Sequence, residues 1–152
     1  MFRFNDRGAG YAALVLRVVL GTIFVVHGSG KVANLGATIE GMSAALGISS
    51  FTVFMVSMTE LIGGLALILG LFTRLAAFAI ASLMLGAVML IHAPNGFFLK
   101  NHGYEYNLAL LGMAASIMIT GAGRYSIDEK FQGFQASALK RHSYLEREAN
   151  KS

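Results

Sequence analysis

Long apolar stretches alternate with short polar connections along the chain. Four such stretches, at residues 11–31, 48–72, 75–93 and 106–122, are almost free of charged residues. About 20 apolar residues are enough to cross a bilayer as a helix. The connections contain too little polar chain to cover four helices of this kind in water. The pattern therefore predicts an all-α fold, a transmembrane four-helix bundle over residues 1–127, followed by a basic tail at 128–152.

The first stretch also resembles a signal peptide, because Arg3 and Arg7 precede an apolar run. However, Arg17 interrupts that run, and no clean cleavage site of small residues follows it. We therefore interpret the stretch as a retained helix.

Composition agrees with a membrane protein and narrows the chemistry. Hydrophobic residues make up 55% of the 152 residues and charged residues only 13%, whereas soluble domains contain about 25% charged residues. The chain has no cysteine. This excludes a disulfide, a dithiol redox motif, a thiolate nucleophile and a cysteine-bound iron–sulfur cluster within the chain.

The net charge of +4 is explained by topology and does not require a nucleic-acid partner. With the N-terminus inside, nine Lys and Arg residues fall on the cytoplasmic side and only Lys31 and Lys100 on the outer side. Such an excess is typical of cytoplasmic ends. The pattern predicts that both termini are cytoplasmic.

Two connections have structure of their own. Apolar residues at helical spacing predict a short interfacial helix over 38–46, and Pro94 to Gly96 predict a turn before Phe97 and Phe98. Small residues within the stretches, such as Gly64, Gly86 and Gly112, predict close contacts between helices. The tail is expected to form a solvated or surface-lying helix.

Placing an ionisable residue in lipid costs free energy, so those within the apolar stretches are candidates for function. They are Arg17, His27, Glu60 and His92. Helical spacing places Arg17 and Lys31 on one face, which should point into the bundle. An Arg17–Glu60 ion pair is predicted, either as a structural link between two helices or as part of a site.

The outer end of the bundle carries further polar residues, which together with Glu60 predict a polar cavity open to the outside. They are His27, Lys31, His92, His102, Glu105, Tyr106 and Asn107. Headgroups and water at the membrane surface offer a simpler explanation for some of them. Two histidines in apolar stretches also raise the idea of haem ligation, but neutral hydrogen-bonded histidine is the commoner case and haem is not favoured; no metal site is predicted.

Several sequence motifs, taken in their order along the chain, resemble those of the DoxX family of small bacterial membrane proteins. They are Arg17 with the sequence HGSGK at 27–31, the block from Glu60 to Arg74, His92 to Phe98, Gly103 to Asn107, and Gly121 to Asp128. The resemblance implies a four-helix protein of the bacterial inner membrane and an oxidoreductase label that covers heterogeneous functions.

From the residues and the resemblance together we expect a component of a quinone-linked oxidoreductase system. A quinone, phenolic or small sulfur substrate would bind inside the bundle. Glu60, His27 and His92 are the candidates for proton transfer, and Arg17, Lys31, Glu105, Tyr106 and Asn107 the candidates for substrate binding. Electrons would come from a soluble or membrane-bound partner or from the substrate itself.

Two other functions fit the same residues. The basic tail would suit a protein that recruits a soluble enzyme, and a homo-oligomer would supply enough helices for a small transporter component. Four spans without interrupted helices are few for alternating access.

Overall fold

A computed structural model describes residues 6–131 and 133–134, and within these ranges the chain is helical with no strand. The five main helices are α1 Asp6–Ala33, α2 Leu35–Leu46, α3 Ser50–Leu69, α4 Thr73–Ala87 and α5 Glu105–Thr120. A π-helical turn, Val88–His92, and a 3-10 turn, Ala93–Asn95, extend α4. The all-α prediction is confirmed.

Three of the described segments are long and apolar enough to cross a membrane: Gly8–Ala33, Ser50–Leu69 and Thr73–Asn95. The apolar helix α5, with 16 residues, is about 24 Å long, which is shorter than a typical span. Large apolar side chains such as Val15, Ile62 and Ile119 are exposed on the outward faces, as expected for surfaces that contact lipid tails.

The four long helices form a ring in which α1 packs mainly on α3 and α4 packs mainly on α5. Contacts between α3 and α4 and between α1 and α5 complete it. The start of α1 and the end of α5 meet at one end, where a Cβ on Gly10 would lie 3.5 Å from the Arg124 side chain. We call this the N-terminal end and the opposite one the α2 end. Which end faces the cytoplasm stays a prediction.

The middle of the bundle is an apolar core. Leu20 and Phe24 of α1 pack with Leu67 of α3, and Ile80 and Leu110 bring in α4 and α5. These side chains are almost completely buried. This apolar layer separates two groups of buried polar residues, one towards each end.

Glycines bring α1 and α3 into backbone contact, as small residues do in membrane bundles. A Cβ on Gly21 would lie 2.7 Å from the Gly64 carbonyl oxygen, and one on Gly28 would overlap the backbone of Leu61. By contrast, added Cβ atoms on Gly86 and Gly112 would meet nothing within 4 Å. The prediction of close contacts is therefore correct for Gly64 and wrong for the other two.

Replacing Gly28 with alanine is expected to destabilise the bundle by about 1–3 kcal/mol, the usual cost of overpacking, because α1 and α3 would have to separate. Gly30→Ala is the matched control on the same helix, since its Cβ would contact nothing within 4 Å. Thermal unfolding of the two variants in detergent measures the difference. Equal midpoints would contradict the close packing of α1 against α3.

The connections at the α2 end agree with the predictions. Helix α2 begins at Leu35, three residues before the predicted start, and has no buried residue, as expected for a helix on the surface of the bundle. The predicted turn is present at residues 93–95, and Phe97 and Phe98 after it are exposed. The predicted tail helix is described only as far as 127–131 and 133–134, which are helical; its other residues lie outside the described ranges.

Candidate functional site

An ion pair between α1 and α3 forms the polar group nearer the α2 end. The Lys31 Nζ atom donates to Glu60 Oε1 at 2.5 Å. Glu60 lies on the inward face of α3, where Ser57 and Gly64 are also buried. The side chain of Lys31 is 26% exposed and that of Glu60 only 7%. The lysine therefore reaches from the edge of the bundle to a carboxylate inside it.

Only one oxygen of this carboxylate is paired. Glu60 Oε2 is buried and has no hydrogen-bond partner among the described residues. A buried carboxylate oxygen without a donor costs free energy, and it is relieved by a proton or by a donor group of a ligand. Glu60 therefore has unused hydrogen-bonding capacity inside the bundle.

Asn107 on α5 is a second buried polar residue at this level. Gly63 of α3 lies next to Ile80 of α4. Glu60 is about one turn from Gly63 towards the α2 end, and Met84 is about one turn from Ile80 in the same direction. Glu60 and Met84 are therefore at similar heights. The Asn107 amide donates to the Met84 sulfur at 3.6 Å, which is a weak acceptor. We call Lys31, Glu60 and Asn107 together the polar layer.

His27 does not belong to this layer. The buried face of α1 runs through Phe24 and Gly28, while His27 lies on an exposed face. Since a helix turns about 100° per residue, the position next to a buried glycine points sideways. His27 therefore lies outside the buried interior of the bundle, and its role in proton transfer stays a prediction.

The remaining candidates at the α2 end are less buried. The His92 ring is half-buried, and its Nδ1 lies 2.7 Å from the carbonyl oxygen of His102, which ties the π-helical turn to the following loop. Glu105 is half-buried and Tyr106 exposed. The structure therefore brings Lys31, Glu60 and Asn107 to one level inside the bundle, and leaves His102, Glu105 and Tyr106 nearer the surface.

The predicted Arg17–Glu60 ion pair is wrong. Arg17 is completely buried, but it lies beside Gly70, where an added Cβ would overlap its Nη1 atom. Gly70 follows Glu60 by ten residues, about 15 Å along a helix. Arg17 donates instead from Nη2 to the Tyr125 carbonyl oxygen at 2.5 Å, and its Nε and Nη1 have no partner in the described part of the chain.

The segment after α5 is held against the turn between α3 and α4 by Asp128. Its carboxylate accepts from the backbone N–H groups of Phe72 and Thr73 at 2.8 and 2.9 Å, and its own N–H donates to the Gly70 carbonyl at 2.9 Å. The carboxylate thus caps the N-terminus of α4, where negative charge is favourable. Its charge also acts on the nearby Arg17.

Two neighbours complete this attachment. The hydroxyl of Ser126 accepts from the Glu129 N–H at 3.1 Å and caps the next helix. Tyr125 stacks on Tyr11 with ring centroids 5.1 Å apart, and the hydrogen bond from the Tyr125 hydroxyl to Tyr11 raises the pKa of Tyr125. The sequence carried a signal for one of these roles, because Ser126 and Glu129 have the spacing of a capping box.

An open cleft of about 750 Å³ lies at this N-terminal end, between the start of α4 and the segment after α5. Arg74, Arg124, Thr73 and Glu129 are among its lining residues, and Phe72 and Leu75 form an apolar part. Sequence reasoning placed its cavity at the opposite end. The sequence does not indicate this cleft, because Arg74 and Arg124 are among the nine basic residues that the topology already explains.

Comparisons with known proteins agree on one family. The DoxX family model matches residues 12–93. "Putative oxidoreductase CatD" of Bacillus subtilis is 32% identical over 115 residues, which cover 76% of this chain and 83% of that protein. "Inner membrane protein YqjF" of Escherichia coli is 32% identical over 115 residues, 76% of this chain and 88% of that protein. An uncharacterized protein of Haemophilus influenzae is 32% identical over 124 residues, covering 80% and 91%. No solved structure matched the chain.

Proposed function

Since the chain belongs to the DoxX family and is a multi-pass protein of the inner membrane, we propose that it is a component of a quinone-linked oxidoreductase system and binds a quinone or a related phenol at the polar layer. One observation carries the proposal: the buried Oε2 atom of Glu60 has no partner among the described residues. A hydroquinone or phenol carries a hydroxyl group on an apolar ring. This hydroxyl would donate the hydrogen bond that Glu60 Oε2 lacks. The name of one relative, an oxidoreductase, supports the same class of reaction.

The polar layer offers complementary groups for both redox states of such a ligand. Lys31 Nζ and the Asn107 amide are donors for the carbonyl oxygens of a quinone, and Glu60 accepts from the hydroxyl of a hydroquinone. The apolar core around Phe24 and Leu110 suits the ring. Because an apolar ligand reaches the protein through the lipid, a buried layer inside a bundle is a suitable place for it.

Reduction of a quinone takes up two electrons and two protons. The chain has no cysteine, so a dithiol of its own does not supply the electrons, and we assign them to the redox group of a partner protein. One proton comes from the Lys31 ammonium group, which donates to Glu60, and the Glu60 carboxylate passes it on to the quinone oxygen. Lys31, whose side chain is partly exposed, then takes up a proton from water. The second proton comes from water at the α2 end.

Replacing Glu60 with glutamine is expected to weaken the binding of a short-chain benzoquinone or its hydroquinone at least tenfold, which corresponds to the loss of about one charged hydrogen bond. The fold should survive, because the released Lys31 is partly exposed and is able to contact water. Saturable thermal stabilisation of the purified protein in detergent measures binding, and small molecules extracted from the same preparation identify a bound quinone.

Glu40→Gln is the matched control. Glu40 is an exposed carboxylate on α2 at the same end of the bundle, and its replacement should leave quinone binding unchanged. The proposal is abandoned if the native protein shows neither extractable quinone nor saturable stabilisation, or if the Glu60 and Glu40 variants bind equally well.

A further inference from the structure

The geometry points to a binding site for the phosphate of an anionic phospholipid headgroup in the cleft at the N-terminal end, with Arg74 and Arg124 as its cationic ligands. The site is separate from the polar layer: Arg17, which borders this end, and Glu60 lie about 15 Å apart along the bundle axis. The proposal therefore stands independently of quinone binding.

Two arginines line the cleft without partners. Neither Arg74 nor Arg124 forms a hydrogen bond or an ion pair with another described residue. Each exposed side chain lies near a glycine at this end of the bundle. A Cβ on Gly121 would lie 3.3 Å from Arg74 Nε, and one on Gly10 would lie 3.5 Å from the Arg124 stem. Guanidinium groups present several donors in a fixed plane and bind phosphate oxygens well.

A buried hydroxyl provides an independent indication of a ligand. Thr73 lines the cleft and is only 1% exposed, yet its Oγ1 has no hydrogen-bond partner among the described residues. A buried hydroxyl without a partner costs free energy. An oxygen of a bound phosphate would accept the missing hydrogen bond.

The carboxylates in the cleft do not cancel the arginines. Both oxygens of Asp128 already accept hydrogen bonds from the start of α4, and its charge interacts with the opposite charge of Arg17. Two guanidinium groups then remain against the single exposed carboxylate of Glu129. This excess of positive charge in the cleft favours the binding of an anion.

The position of the cleft identifies a lipid as the source of the phosphate. The apolar span that contains α4 begins at Thr73, so the cleft lies where the membrane boundary is expected. Phe72 and Leu75 in its lining are 70% and 66% exposed, and they offer an apolar surface for acyl chains beside the arginines. The volume of about 750 Å³ is within the range of small-molecule sites. Free phosphate would make no use of the apolar part.

The test is a titration of the full chain, purified in neutral detergent, with phosphatidylglycerol. Retained lipid is counted by native mass spectrometry and stabilisation is measured by thermal unfolding. Phosphatidylglycerol should bind saturably, and phosphatidylcholine should bind more weakly. Arg74→Gln and Arg124→Gln should each weaken binding about fivefold, the usual contribution of one basic residue to anionic lipid.

Two further variants keep the result interpretable even if an arginine variant misfolds. Lys100→Gln removes a basic residue at the opposite end and should leave binding unchanged. Glu129→Gln removes the opposing carboxylate and should tighten binding. The proposal is overturned if Glu129→Gln and the arginine variants bind as the native protein does, or if inorganic phosphate stabilises the protein as well as the lipid does.

Discussion

The Gly70→Ala variant is expected not to form a stable bundle, with a loss of about 4 kcal/mol or more, which is at the upper end for single substitutions. Gly70 ends α3 with φ of +69°, a conformation that costs alanine about 1–2 kcal/mol. Its added Cβ would also overlap Arg17 Nη1 and lie 2.5 Å from the Ser126 Cβ. Because these neighbours are buried and hydrogen bonded, they have no free space into which to move.

Gly47→Ala separates the two contributions. Gly47 also ends a helix, with φ of +66°, but an added Cβ there would meet nothing within 4 Å. This variant should lose only the stability that the positive φ costs alanine, about 1–2 kcal/mol. Expression level, gel-filtration profile and thermal unfolding in detergent compare the two variants. Similar losses would contradict the packing of Arg17 against Gly70.

The Lys31→Met variant is expected to lose about 3–5 kcal/mol, because it leaves the Glu60 carboxylate buried without its cation. Glu60 is 5% exposed, and its other oxygen already has no partner among the described residues. Unfolding of the purified protein in a denaturing detergent measures the loss. Lys100→Met is the control for removing an exposed lysine, and it should change stability little.

A double variant tests whether this loss belongs to the pair. Replacing Lys31 and Glu60 together by methionine removes both charges, and buried ion pairs replaced by apolar residues often cause little loss or even a gain. The double variant should therefore be more stable than Lys31→Met alone. It should also bind no quinone, which would separate the role of the pair in folding from its proposed role in binding. If the double variant is less stable than the single one, the interpretation of the pair is wrong.

The sequence predicted the helices well because the bilayer imposes a strong constraint on length and polarity. The predicted stretches at 48–72 and 106–122 correspond to α3 and α5, and the stripe through Arg17 and Phe24 is buried. The relative heights of charged residues on different helices were harder to predict. The ends of apolar stretches do not determine how far one helix slides along another.

The register of α1 and α3 is set by glycine contacts, Gly21 with Gly64 and Gly28 with Leu61. These contacts place Lys31 beside Glu60 and Arg17 beside Gly70, so the predicted partner of Glu60 was the wrong cation. The partner of Arg17 is a backbone carbonyl, and residue types give no direct indication of which carbonyl is left free by a turn. The cleft was missed for a similar reason, since it depends on how the segment after α5 folds back.

The bond between Arg17 and Tyr125 joins residues 108 positions apart in the chain, and this has a consequence for biogenesis. When α1 enters the membrane during synthesis, the carbonyl that accepts from its guanidinium has not yet been made. Until the segment after α5 leaves the ribosome, the arginine has to be satisfied by water, by lipid phosphate or by the insertion machinery. This hydrogen bond therefore forms only after the last helix has been made, and a nascent chain that stops before Tyr125 lacks the carbonyl that accepts from Arg17 in the complete bundle.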